Sequence, residues 1–136
     1  MANRTGGCLC GAVRYELTAE PFAHVACHCR DCQYASGGAP TLAMLVPRPA
    51  INITKGEVRT YWCDGDSGGK VGRSFCEACG TPIFSEPASS GPIAVIKVGS
   101  LDDASDFSPQ VYIWTKSAKP WHHIPEGVAR FEGQPG

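Results

Sequence analysis

No stretch of this chain approaches the roughly 18 apolar residues of a membrane span, and the opening MANRTGGCLCG contains no apolar core of the kind a secretory signal carries. No basic run occurs either: 12 Lys and Arg are scattered against 13 Asp and Glu, leaving a net charge of -1. These absences argue against nucleic acid and against an anionic membrane as partners. They lead to the expectation of a soluble, cytoplasmic protein. Internal repeats and low-complexity tracts are also missing, and helical periodicity is confined to two short candidates, 30–36 (RDCQYAS) and 101–107 (LDDASDF). A chain of 136 residues can bury a core without needing metal or disulfides merely to fold. Residues 1–136 are therefore expected to form one domain, with about 131–136 as a loose tail.

What remains is rich in turn residues and β-formers. Gly (16) and Pro (11) punctuate short segments of β-branched and aromatic residues, which fits an all-β fold. In AVRYELTA (12–19), Val13, Tyr15 and Leu17 alternate with Arg14, Glu16 and Thr18, the period of a half-buried strand. Further strands are expected at 41–46, 50–55, 58–64, 70–76, 93–99 and 110–115. Lys55-Gly56-Glu57 and DGDSGGK (64–70) supply turn chemistry between neighbours.

Cysteine is abundant, at eight residues, and clustered. A disulfide framework needs a secretory route, for which the sequence has no signal. Close neighbours such as Cys8-Leu-Cys10, Cys27-His-Cys29-Arg-Asp-Cys32 and Cys76-Glu-Ala-Cys79 converge on one ion more readily than they pair without strain. The CEAC turn holds two thiolates around an ion, with Gly80 relieving the backbone after the second. The CLC pair offers two more from one face of an extended segment. Cys8, Cys10, Cys76 and Cys79 are thus expected to form a closed structural zinc site.

Cys27, Cys29 and Cys32 are then left with three thiolates and one open tetrahedral position, the arrangement of a catalytic zinc. A small thiol bound at that position would be held as thiolate, the form that attacks an electrophile. The alternative is a closed site completed by His24, His28 or Cys63, although alternation along an extended stretch turns His28 away from its neighbours. Cys63, in TYWCD, reads by default as a buried small hydrophobe. His122 and His123 read as packing or surface residues, and Trp114 and Trp121 as core or site walls. Arg30, Lys70 and Arg73 are candidate partners for a substrate carboxylate.

GGCLCGAVRYE, CHCRDCQYASGG, FCEACGTPIF and VYIWTKSAKPWHHIPEGVARFEGQP, in that order over almost the whole chain, resemble the glutathione-dependent formaldehyde-activating enzyme family, whose domain is shared with centromere protein V. The resemblance implies an all-β fold of packed antiparallel sheets with two zinc ions per chain. Cys8, Cys10, Cys76 and Cys79 match the structural ligands, and Cys27, Cys29 and Cys32 the catalytic ones. It also implies a carbon-sulfur lyase that adds glutathione to formaldehyde, giving S-hydroxymethylglutathione, with a small-molecule thiol and a small aldehyde as partners. Two readings compete. One is a zinc-stapled protein- or peptide-binding module without catalysis, and the other a redox or metal-buffering role for a labile zinc at the triplet.

Overall fold

The computed structural model describes residues 4–65, 69–87 and 91–134. Among the described residues, eleven strands and one short α-helix, besides single 3-10 turns, follow in chain order: β1 (Arg4–Gly7), β2 (Arg14–Leu17), β3 (Ala23–Cys27), α1 (Arg30–Ala35), β4 (Thr41–Pro47), β5 (Ile51–Lys55), β6 (Arg59–Asp64), β7 (Lys70–Phe75), β8 (Pro82–Pro87), β9 (Ile93–Lys97), β10 (Val111–Ile113) and β11 (Ala129–Arg130). They form a three-stranded sheet, β1-β2-β5, and an eight-stranded sheet, β11-β10-β3-β4-β9-β8-β7-β6. The expected all-β class with antiparallel pairing is what the chain adopts. Two pairings depart from it, since β10 runs parallel to both β3 and β11.

Strand alternation divides the large sheet into two faces with different tasks. Even-numbered side chains Met44 and Val46 of β4, Phe84 of β8, and Ala94 and Ile96 of β9 join Tyr15, Leu17 and Ile51 of the small sheet in one core. Each large apolar side chain fully buried there contributes on the order of 1.5–3 kcal/mol. Odd-numbered residues of β3, β4 and β9 face the other way and line a cavity: Val25 and Cys27, Thr41 and Leu45, Val95 and Lys97. The register keeps them together, pairing Cys27 with Thr41, Leu45 with Val95 and Ile113 with Cys27. The core therefore fixes the positions of residues on the opposite face through the backbone they share.

The sheets are also tied at their edges. Gly6 of β1 bridges to Leu101, and the Tyr15 hydroxyl meets Ser100 Oγ at 2.7 Å inside the core. Gly56 turns the chain between β5 and β6 at φ +73°, with its Cα against the Ala12 carbonyl. Only glycine tolerates both the angle and the approach.

Three expectations differ from the fold. The segment 101–107 is not helical: Asp103 accepts from the Ser105 N–H at 2.9 Å, and Asp102 is drawn off to Thr5 and Arg14. Aspartate side chains here offer the backbone an alternative to the helix ladder. The CLC pair is not an extended segment, because Leu9 and Cys10 form a turn after β1. Residues 131–134, expected as loose, run beside β10, where Phe131 N–H donates to Tyr112 O and Trp114 N–H to Gly133 O. Residues 135–136 lie outside the described chain, as do 66–68 of the expected DGDSGGK connection.

Candidate metal centres and the adjoining cavity

All eight cysteines are free thiols. The Sγ atoms of Cys8, Cys10, Cys76 and Cys79 lie within 4.8 Å of one another. Cys8 and Cys10 are 3.6 Å apart and Cys10 and Cys76 3.8 Å. Four thiolates at about 2.3 Å from a tetrahedral zinc stand roughly 3.8 Å from each other, so the donor set has the size and chemistry of that ion. Local structure holds it. Val13 N–H donates to Cys8 Sγ at 3.2 Å, and Gly80, at φ +79°, closes the CEAC turn by donating to Cys76 O at 2.7 Å. The Cys79 thiol is pushed down to about 5, chiefly by its hydrogen bond with Thr81. Cys10 is pushed up to about 11 by the neighbouring thiols, Cys8 first, against a lowering backbone bond at Ala12.

The second cluster is Cys27, Cys29 and Cys32, again with all Sγ atoms within 4.8 Å. Cys27 ends β3, Cys32 lies in α1, and Cys29 caps that helix, its sulfur accepting the Cys32 N–H at 3.2 Å. Within the trio the thiols shift in opposite directions. The Cys32 thiol is pushed down to about 2 by hydrogen bonds from Cys27 and Cys29, with Lys97 and Thr41 adding to the effect against burial. Cys27 is pushed up by its hydrogen bonds with Cys29 and Cys32 and by burial. Each cluster could thus hold a metal ion.

No fourth ligand joins the triplet among the described residues. His24 Nδ1 accepts from Ser108 N–H at 3.1 Å while its ring stacks on Phe107. His28 turns away, as alternation predicts, and is buried between Tyr112 and His122 with no hydrogen-bonding partner on either nitrogen. Cys63 lies on β6, apart from the cluster. His122 is occupied by Gly38 O and Lys119 N–H, and His123 and Trp121 are exposed.

The three thiols open onto a cavity of about 350 Å³. Of the candidate cations, Arg73 reaches it and stands 3.8 Å from Asp31. Arg30 instead bonds Gln33 and covers the Tyr34 ring, while Lys70 pairs with Asp64 at 2.8 Å. Sequence reasoning missed Lys97. It is 9 % exposed, and its Nζ donates to Thr41 Oγ1 at 3.1 Å. Burial pushes its pKa down, and Cys32 opposes that push. The signal was present: Lys97 falls in phase with Ile93 and Val95, on the same face of an otherwise apolar strand. Trp114 forms another wall, at φ +55°, a left-handed conformation that a bulky residue adopts only under constraint.

A mostly antiparallel β protein with one four-thiol and one three-thiol cluster, the latter at a cavity wall, is the class these features define. Residues 3–117 match the model of the glutathione-dependent formaldehyde-activating enzyme family. The chain belongs to that family. A crystal structure of a Rhodobacter sphaeroides protein has a similar fold, with a TM-score of 0.62 at 17% identity, over 93% of this chain and 98% of that one. No helix among the described residues is long and apolar enough to cross a membrane.

Proposed function

We propose that the protein is a zinc-dependent carbon-sulfur lyase or synthase that adds a low-molecular-weight thiol, glutathione, to formaldehyde or a related small aldehyde, giving S-hydroxymethylglutathione. Cys27, Cys29 and Cys32 hold one zinc with its fourth position open to the cavity, and Cys8, Cys10, Cys76 and Cys79 hold a second, structural one. The observation that carries the reading is convergence of three thiols, without a fourth protein ligand among the described residues, on the wall of a cavity. Zinc bound there supplies positive charge that favours the thiolate form of an incoming thiol at neutral pH.

The chain's own residues do the rest. Cys29 fixes the triplet to α1 by capping it, so the ligand set is held by the helix as well as by β3. Lys97 offsets the negative charge of the three thiolates from within the same wall. Arg73 stands where a substrate carboxylate can compete for it with Asp31. The aldehyde is a reactive electrophile, so positioning it against sulfur and donating to its oxygen are most of what the reaction needs. Residues 1–136 act in this reading as one cytoplasmic domain.

The test is calorimetric titration of reduced glutathione into protein carrying two zinc ions per chain, with Cys29→Ser as control. Binding lost in the control supports the reading. Equal affinity for both proteins would refute it.

A further inference from the structure

The walls of the triplet cavity match poorly the one substrate that needs least space. Val25, Leu45, Val71, Val95, Ile113 and Trp114 surround the thiols with apolar surface, and formaldehyde has no carbon chain to touch them. Pockets of this size ordinarily take ligands with an apolar body oriented by a few polar groups. Polar groups interrupt that surface, Asp31, Arg73, Ser85 and Gln134 among them, and one set lies beside the thiols. Cys27 and Thr41 are register partners, and Lys97 lies opposite Ala43 one strand further on. Lys97 Nζ has three N–H bonds. Thr41 accepts one, and no carboxylate pairs with the ammonium among the described residues. An ammonium buried beside the thiol cluster, with one hydroxyl as its hydrogen-bond acceptor, keeps N–H bonds to give to a ligand oxygen.

We propose that the electrophile of this site is an aldehyde bearing an apolar chain, larger than formaldehyde, with its carbonyl oxygen held by Lys97 Nζ and its chain laid along the Val25, Leu45 and Val95 wall. The inference rests on the thiol-addition reading and names the substrate class for it. In the reaction the thiol sulfur forms a bond to the carbonyl carbon and the C=O π bond breaks. The proton released by the thiol ends on the former carbonyl oxygen, which Lys97 hydrogen-bonds throughout. No oxidant, reductant or further reactant enters.

Hexanamide, which presents a carbonyl and an alkyl chain but does not add thiols, is the binding probe, with formamide as its chainless counterpart. Each is titrated by calorimetry into the full-length, zinc-replete protein. Hexanamide is expected to bind at least about tenfold more tightly than formamide, because several methylenes leave water. Lys97→Met and Leu45→Trp, each shown folded by circular dichroism, are expected to weaken it severalfold; Val95→Phe replaces Leu45→Trp if that variant does not fold. Equal or absent binding of the two amides overturns the proposal, as does hexanamide binding that both variants leave unchanged. Glutathione binding is read separately with Cys29→Ser. Its absence alongside intact hexanamide binding would sink the thiol-addition reading and uphold the apolar carbonyl site. With both present, glutathione addition to hexanal should be accelerated over the spontaneous rate at least about tenfold more than addition to formaldehyde. The reverse preference counts against the proposal.

Discussion

Lys97 Nζ and Thr41 Oγ1 stand 3.1 Å apart across the adjacent strands β4 and β9, and Thr41 is also the register partner of Cys27. One hydroxyl therefore links the buried cation to the strand that delivers the first thiol of the triplet. Thr41→Val keeps the shape but leaves the ammonium without its acceptor. The expected cost is about 1–3 kcal/mol. Lys97→Met removes the cation that offsets the triplet's thiolates, so it is expected to destabilise at least as much as Thr41→Val. Urea midpoints of the two variants in zinc-loaded form make the comparison, and a Thr41→Val protein as stable as the parent would mean the contact carries no weight.

The two cysteine clusters should respond differently to loss of a ligand. Cys79→Ser opens the cluster that joins the β1–β2 turn to the β7–β8 turn, and it is expected to lose zinc together with thermal stability. Cys29→Ser is expected to retain one zinc per chain and the parent's far-ultraviolet circular dichroism spectrum. Metal counting by mass spectrometry on each purified variant decides this. Loss of both ions from Cys29→Ser would contradict the division of labour.

Gly56 is required by its angle and by its neighbour. At φ +73° a side chain is strained, and a Cβ would collide with the Ala12 carbonyl. Gly56→Ala is expected to destabilise the fold by more than about 1 kcal/mol. Gly127 has a similar φ of +82° but open space around it, so Gly127→Ala should cost less. Thermal unfolding of the pair separates steric collision from backbone strain.

Asp102 hydrogen-bonds Arg14 and Thr5, and these partners push its carboxyl down to about 2 from 3.8, Arg14 first. A depressed carboxyl pKa stabilises the fold above the unfolded value and loses that contribution as pH falls through the folded one. The contribution should be complete near neutral pH and fade between about pH 4 and 2. The side chain is 46% exposed, so the effect at neutral pH is expected to stay below about 1 kcal/mol. Asp102→Asn should therefore be slightly less stable than the parent at pH 7 and indistinguishable from it at pH 2. A difference that persists in acid would point to packing rather than charge.

How much of the site could be read in advance depends on the distance over which each feature is encoded. CxC, CxCxxC and CxxC are local: their spacings put the thiols within reach of one ion whatever the rest of the chain does. Their partition into a set of four and a set of three followed from counting, and the same seven thiols fall into two clusters that could each hold a metal ion. The β2 strand was legible because Tyr15 and Leu17 alternate with Arg14 and Glu16. The β3 and β8 strands were not, since AHVAC runs straight into the cysteine motif and PIFSEP begins and ends with proline.

By itself, then, the sequence determined the β class, the short α1 helix after the triplet, and the identity of the candidate ligands, because each depends on residues a few positions apart. The tertiary structure decided what surrounds the triplet. Parallel pairing of β10 with β3 brings Ile113 beside Cys27 and Trp114 to the rim of the cavity, and antiparallel pairing of β9 with β4 carries Lys97 there from 70 positions beyond Cys27. Such neighbours are chosen by strand register, and register is set by burial of the even-numbered residues in a core on the other side of the sheet.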